Sequence, residues 1–468
     1  MATTEAASTA ADIIERLRAD PVLYSRRILG SDPWLLPQQI LRALAKPHAQ
    51  VAVKGCHASG KTHAAAQAVL WWVSTGGIAI TTAPRWTQVK QLLWREIRDQ
   101  HAAAKVPIGG RFPPSAPEFR IAPDAYALGV STNEGVRFQG WHGARLLMVL
   151  DEAPGIRPYI YEAIEGAQAG GDVRLLALGN PTISSGPFYD AFTKDRTSWT
   201  SFTISAFDTP NLAGLTEETL LTLGDEELEI SPRPYLTTRR WVRQKLEKWG
   251  RDHPLYAARV LGQFPKQDDQ ALIPLALLEL AGAREVVDTP DSPVSVGIDV
   301  AGPGEAEAVA YARSGSNVLD FVATADPDPR GAIVAFLARY RARLTVVNVD
   351  EVGIGYNFML HLRDLGFPVT GVNVGTPASN PERFANLRAE IFWGFRERAQ
   401  AHDLAGVTDE ETIAQATSIR WGQNARGQTV IESKDDARAR GVESPDRAEA
   451  LILAFMPPRA SGLFAFLE

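Results

Sequence analysis

The stretch Gln50-Val-Ala-Val-Lys-Gly55-Cys-His-Ala-Ser-Gly60-Lys61-Thr62 decides the reading of the first half of the chain. A short apolar run passes into a glycine loop of the form G-x-x-x-x-G-K-[ST], and a helix-like segment comes after Thr62. Glycine lets the backbone wrap closely, so that its N–H groups and the helix N-terminus of this loop face phosphate oxygens. Gly55, His57, Ser59 and Gly60 are the loop positions expected to cradle them. Lys61 is expected on the β/γ phosphates, and the Thr62 hydroxyl on Mg²⁺.

Working outward, further strand-like runs lie at Ile78–Thr82, Leu146–Leu150 and Arg174–Leu178, with helix-like segments such as Thr87–His101 between the first of them. Strands alternating with helices predict a parallel sheet covered on both faces. Leu146-Leu-Met-Val-Leu150 ends in Asp151-Glu152. Ligands of such sheets bind at that edge. Asp151 is therefore expected to hold Mg²⁺, and Glu152 to polarise the water attacking the γ-phosphate of ATP. A third strand ends in Gly179-Asn180-Pro181, which puts Asn180 at the same edge. Residues 10–30 read as one helix, with Ile13, Ile14, Leu17 and Leu23 at helical spacing.

The bulk numbers fit this picture. At 468 residues the chain is long enough for two domains. Hydrophobic residues make up 45% and charged residues 22%, the composition of a soluble globular protein. The net charge of −7 argues against a nucleic-acid coat protein but leaves room for an enzyme that grips DNA locally. A single cysteine, Cys56, excludes an internal disulfide and fits a reducing cytoplasm. No signal peptide and no membrane-spanning run are legible.

The second half carries acids at telling places. From Ser205 to Pro265 the pattern is helical and charged, and prolines at 265, 274, 290 and 293 punctuate the passage into the next segment. The domains expected are a P-loop ATPase core at 1–204, a lid and linker at 205–284 and a second α/β domain at 285–468. There, Asp299 lies in the apolar run Val294-Ser-Val-Gly-Ile-Asp299, and Asp350 ends Leu344-Thr-Val-Val-Asn-Val-Asp350. Asp446 sits in Ser444-Pro-Asp446-Arg-Ala-Glu449, read as a helix start capped by Ser444. An acid in a strand, an acid at a second strand end and an acid on a late helix follow the order of ribonuclease-H-like nucleases. Three such carboxylates suit two Mg²⁺ or Mn²⁺ ions that activate a water and stabilise a leaving oxygen. Glu449, one turn after Asp446, reads equally as an assistant or as a solvated helix charge, and Lys434 as a group near the scissile phosphate. Arg383, Arg388, Arg396 and Arg398, on a predicted helix, read equally as contacts for DNA phosphates and as a solvated helix face, and the tryptophans, Trp71-Trp72 among them, read as core.

Together with Thr81-Thr-Ala-Pro-Arg-Trp-Thr-Gln, Ser205-Ala-Phe-Asp-Thr-Pro-Asn-Leu and Gly262-Gln-Phe-Pro, these segments resemble the large terminase subunit of tailed bacteriophages over nearly the whole chain. The resemblance implies an additional-strand ATPase joined to a ribonuclease-H-like nuclease, packaging double-stranded DNA in the host cytoplasm. Its implied partners are double-stranded DNA, a portal protein, a small terminase subunit and copies of itself in a pentameric ring, with no membrane. It puts the adenine pocket at Trp34-Leu-Leu-Pro-Gln38-Gln39. Many members carry Arg in the phosphate loop where this chain has His57, so an arginine acting from a neighbouring subunit is expected, with Arg137 ahead of Arg145. The rival readings are an ATP-dependent helicase or repair nuclease, which needs helicase motifs after the GNPT segment, and a non-catalytic nucleotide-binding scaffold, which would be expected to have lost one of these groups. Neither departure is present.

Overall fold

The computed structural model describes residues 9–114, 116–131, 143–266, 268–300 and 307–457, and the chain divides into two compact units at Pro265/Lys266. Residues 205–284, read as lid and linker, are split by that boundary.

The first unit is built on seven strands: β1 Gln50–Gly55, β2 Ile78–Thr82, β3 Glu118–Ala122, β4 Ala125–Gly129, β5 Arg145–Asp151, β6 Asp172–Gly179 and β7 Thr200–Ile204. Their order is β3-β4-β2-β5-β6-β1-β7. All pairings are parallel except the edge pair β3–β4, a hairpin at the rim. The placement of β6 between β1 and β5 is what defines the additional-strand type of P-loop ATPase fold. It also brings the ends of β1, β5 and β6 to one edge, with Lys54 opposite Gly179 and Asp151 opposite Leu178.

The helix Lys61–Ser74 is apolar from Ala64 to Val73 except for Gln67, whose Nε2 donates to Ser31 Oγ, and Ala64–Val73 are buried. A helix without a polar face belongs inside a domain. Trp71 and Trp72 are fully buried there, as core residues. The single helix expected over residues 10–30 is instead broken after Ala19. Asp20 is extended (φ −128°, ψ 93°) and its carboxylate accepts from the N–H groups of Val22 and Leu23, while Pro21 starts the next turn. An Asp-Pro pair both caps a new helix and ends the old one, and periodicity alone does not see it.

The second unit carries β8 Val294–Asp299, β9 Ala308–Ser314, β10 Asn317–Thr324, β11 Leu344–Asp350 and β12 Val369–Val372 in the order β10-β9-β8-β11-β12. β9 is antiparallel to both neighbours, whereas β8, β11 and β12 run parallel. This is the ribonuclease-H-like fold, α/β with a mixed sheet. The helix Asp446–Ala454 packs on β8 and β9. It comes so close that a Cβ on Gly297 would lie 2.1 Å from the Ala454 nitrogen and 2.2 Å from the Ala450 oxygen. Glycine at 297 is therefore a condition of that packing. Asn348 Nδ2 donates to Leu453 O (2.9 Å) and Arg313 Nε to Ala454 O (2.7 Å), which fixes the far end of the helix.

Candidate functional sites

The phosphate loop is held from several directions. Its backbone turns through two left-handed residues, Ala58 (φ 49°) and Gly60 (φ 85°). Cys56 N donates to Ile204 O and His57 N to Arg259 O, both at 2.8 Å, while Ala58 O accepts from Thr237 N at 3.0 Å. Asn180 Nδ2 donates to Gly55 O at 2.6 Å, so the third strand end touches the loop directly. The His57 ring stacks on Trp241 at 6.0 Å. Thr237, Trp241 and Arg259 thus make the segment after β7 part of the loop's support. The sequence carries no signal for the Thr237 and Arg259 contacts, because they run through backbone groups and leave no residue-type preference.

Lys61 Nζ lies inside the loop, donating to Cys56 O (2.6 Å), Gly55 O (3.2 Å) and Ser59 Oγ (3.3 Å). Burial pushes its pKa down, opposed by Cys56, Glu152 and Asp151, which mark how near the β5 acids lie. Asp151 is buried. Burial, then the Glu152 carboxylate, push its pKa up to about 7, against the pull of Lys61. Glu152 takes a left-handed conformation (φ 51°) and its N–H donates to Asp151 Oδ1 at 3.2 Å. A non-glycine residue held there costs roughly 1–3 kcal/mol and marks a site whose surroundings enforce the geometry. Thr62, next along the helix, is half-buried. Trp34 Nε1 would lie 3.8 Å from a Cβ on Gly60, which brings the segment before the first strand to the loop. Within it Gln38 is half-buried with Nε2 donating to Pro33 O (2.6 Å), and Gln39 is exposed.

Arg137 lies outside the described residues. Arg145 opens β5, at the opposite end of the strand from Asp151. Its guanidinium donates to Thr75 O and stacks over Trp72 at 4.3 Å. Burial, with the nearby Arg18 and Arg174, lowers its pKa to about 10. It packs against Thr75 and Trp72 at the end of β5 away from Asp151.

The second site forms where β8, β11 and the helix Asp446–Ala454 converge. Asp299, Asp350 and Glu449 each offer a carboxylate oxygen, and these atoms all lie within 4.8 Å of one another. Asp299 is buried and its Oδ2 has no hydrogen-bond partner. Burial first, and then Glu449, hold its carboxyl well above the usual range. Asp350 Oδ1 accepts from Val352 N (3.0 Å), and burial raises its pKa. Asp446 is also buried, its carboxyl raised by burial, and it stands near enough to raise Asp299 further. Ser444 does not cap the helix. Pro445 holds the cap position, and Ser444 Oγ donates to Asp446 Oδ1 at 2.5 Å instead.

Glu449 is 6% exposed, which removes the solvated-charge reading. Its two oxygens accept from Arg388 Nη2 (2.9 Å) and Lys434 Nζ (2.7 Å). Burial works to raise its pKa, but Lys434 and Arg388 hold it below the usual value. Arg388 therefore belongs to the site and not to a solvated helix face. Sequence alone does not separate it from Arg383, Arg396 and Arg398. Glu449 was findable from its place one turn after Asp446. Hard carboxylate oxygens with an unpartnered buried one among them fit Mg²⁺ or Mn²⁺.

Fold and sites together define a protein that joins an additional-strand P-loop ATPase fold to a ribonuclease-H-like fold with a carboxylate cluster. Its resemblance is to the large terminase subunit, and it runs along nearly the whole chain. A probable terminase large subunit of Enterobacteria phage P7 is 24% identical, covering 95% of this chain and 92% of the relative. No family model matches. Among solved structures, the HK97 bacteriophage large terminase is 13% identical with a TM-score of 0.39, covering 94% of this chain and 98% of that one. The large terminase of a thermophilic bacteriophage, in complex with ADP, gives 12% and 0.38, covering 94% and 98%. The nuclease domain of the large terminase subunit of bacterial virus Sf6 gives 18% and 0.34, covering 40% and 99%. Among the described residues, no helix is long and apolar enough to cross a membrane.

Proposed function

We propose that this chain is a genome-packaging motor that hydrolyses ATP to move double-stranded DNA into a procapsid and cuts concatemeric DNA with a metal-dependent endonuclease. The observation that carries the reading is one chain with a phosphate loop backed by Asp151-Glu152 and, in its other unit, three carboxylates converging within 4.8 Å on a ribonuclease-H-like sheet. The ATP-dependent helicase or repair-nuclease alternative finds no second motor core among the described residues, because the second sheet has β9 antiparallel to its neighbours.

In the motor, the loop from Gly55 to Thr62, with His57, Ser59 and Gly60 in its turn, is assigned to the phosphates. Lys61 exchanges loop carbonyls for β/γ oxygens. Thr62 and Asp151 are the groups that would hold Mg²⁺, and Glu152 orients and deprotonates the attacking water. Asn180 ties the third strand end to the loop, and Gln38 and Gln39 are assigned to the adenine side. Arg137 is the arginine proposed to act from a neighbouring subunit. Mixing Arg137→Ala with Glu152→Ala subunits should restore ATPase if it does.

In the nuclease, bound Mg²⁺ or Mn²⁺ would supply an activated water and charge neutralisation at the leaving oxygen. Asp299, Asp350 and Glu449 would hold it, with Asp446 beside them as the further acid of a two-metal set. Lys434 and Arg388 offset the acids' charge and orient Glu449. The expected setting is the host cytoplasm, with a portal protein, a small terminase subunit and a pentameric ring of copies as partners. The test is plasmid DNA with purified protein and Mn²⁺, with and without EDTA. Linearisation that EDTA abolishes is expected, and no cutting under any divalent metal would overturn the nuclease assignment.

A further inference from the structure

We infer that an apolar ridge directly after Asp350 (Val352, Ile354, Tyr356 and Leu360) bears on the sugar and base face of the DNA being cut. The inference rests on the nuclease reading above and names how the substrate is seated there.

The ridge is built rather than incidental. After Asp350 the chain turns through Gly353 (φ +67°) and comes back so tightly that a Cβ on Gly355 would lie 1.8 Å from Asp350 O. The Asp350 carboxylate itself accepts the Val352 N–H at 3.0 Å. One acid of the metal cluster is therefore tied to the first residue of the ridge. The next helix, Gly355–Asp364, packs Phe358, Met359 and Leu362 into the core. Its other side presents Tyr356 and Leu360, four residues apart and hence on one face. Val352, Ile354 and Tyr356 are 58%, 47% and 52% exposed, and Leu360 is 37% exposed.

Scattered exposed apolar residues are ordinary, but here four fall between residues 352 and 360, two of them on one helix face, and such a concentration marks a contact surface. The position of this one decides its occupant. It runs on from a carboxylate of the cluster that would receive a phosphodiester. A duplex that puts a phosphate on that cluster continues past it on both sides, and its minor groove is lined with sugars and base edges. Aliphatic and aromatic side chains bear on that surface and wedge at base steps. Lys434 and Arg388, ion-paired to Glu449 at the cluster, offset the negative charge that a phosphate would meet there. The ridge is thus a positioning element for the scissile strand and takes no part in the chemistry.

The experiment uses the full-length protein, a fluorescent duplex and a supercoiled plasmid. In the absence of divalent metal, duplex binding is read by anisotropy; with Mn²⁺, cutting is read over a range of DNA concentrations. For Ile354→Ser/Tyr356→Ser, duplex affinity is expected to fall roughly tenfold, the factor that about 1.4 kcal/mol of lost apolar contact gives. KM for DNA should rise alike, with kcat at saturating DNA and the Mn²⁺ half-saturation unchanged. Ile354→Val/Tyr356→Phe should behave as wild type, which separates contact from folding. Unchanged affinity and KM in the Ser variant overturn the inference. So does a ridge whose loss changes only self-association, which would make it a protein interface. Wild-type protein that neither binds nor cuts DNA overturns the nuclease reading and this inference together, whereas wild type that cuts alongside an equally active Ser variant overturns this inference alone.

Discussion

Gly297→Ala tests whether the acid cluster depends on how closely the last described helix lies on β8. The added Cβ would sit 2.1 Å from Ala454 N and 2.2 Å from Ala450 O. Ordinary contact begins near ~3.5 Å, so the helix must withdraw by roughly 1 Å or more. Both atoms are backbone, and the helix end is held by Asn348 and Arg313, so no side-chain rotation relieves the clash. Overpacking of this kind costs about 1–3 kcal/mol. The same helix carries Asp446 and Glu449. Displacing a catalytic group by about 1 Å lowers a rate by about 10²-fold. The expected result is a lower melting temperature for the second unit, plasmid cutting reduced by roughly 10²-fold, and ATPase unchanged. Gly394→Ala is the control, since a Cβ there meets nothing within 4 Å. Gly297→Ala protein that cuts within a few-fold of wild type and melts at the same temperature would refute the reasoning.

Lys61→Ala and Glu152→Ala should each abolish ATP hydrolysis and leave EDTA-sensitive plasmid cutting intact; parallel loss of both activities in a folded variant would refute the assignment of two sites. Asp299→Asn, Asp350→Asn and Glu449→Gln should each stop cutting with ATPase retained, and double variants should be no worse than singles because the three serve one site; a Glu449→Gln protein that cuts normally would return the third place to Asp446. Asp151 has a folded pKa raised to about 7 from 3.8. The folded state therefore holds that proton longer than the unfolded chain, so the stability tied to it is full below about pH 4 and is lost as pH rises through about 7. In thermal melts without nucleotide, the advantage of Asp151→Asn over wild type should widen across that window and then level off, and an advantage independent of pH would contradict it.

Much of the fold was legible because apolar runs ending in acids or glycines mark the strands whose ends meet: β1, β5 and β6 in one unit, β8 and β11 in the other. The rim strands were not. β3, β4 and β10 are half-buried with mixed composition, and the fit of an edge strand depends on neighbours that a single sequence does not reveal. The loop residues, Asp151, Asn180, Asp299 and Asp350 could be placed at or just past strand ends from the sequence alone, because strand ends are where apolar runs give way to polar residues. The support from Thr237 and Arg259 could not, since it runs through backbone groups. Closeness in sequence is also a poor guide to closeness in space here: Arg145 and Asp151 share one strand, yet seven residues span about 20 Å and put them at opposite ends.

Glu449 and Arg388 show what charge burial adds to such a reading. Asp299, Asp350, Asp446 and Glu449 crowd one end of a sheet, and carboxylates so placed raise one another's pKa values and weaken the fold. Two cations answer this within the protein, Lys434 at 2.7 Å and Arg388 at 2.9 Å from Glu449. Their charge goes to the residue at the centre of the cluster and leaves Asp299 Oδ2 without a hydrogen bond. One acid is thereby held below its usual pKa, while burial leaves another above it with an oxygen unpartnered. A divalent cation placed there would meet an unpartnered oxygen of Asp299 and a carboxylate at Glu449 already oriented by two cations. Removing Lys434 would withdraw charge from a carboxylate that burial already penalises. A helix acid and an arginine in the first turn of another helix look unremarkable in one dimension, and only the convergence of the elements that carry them gives them that work.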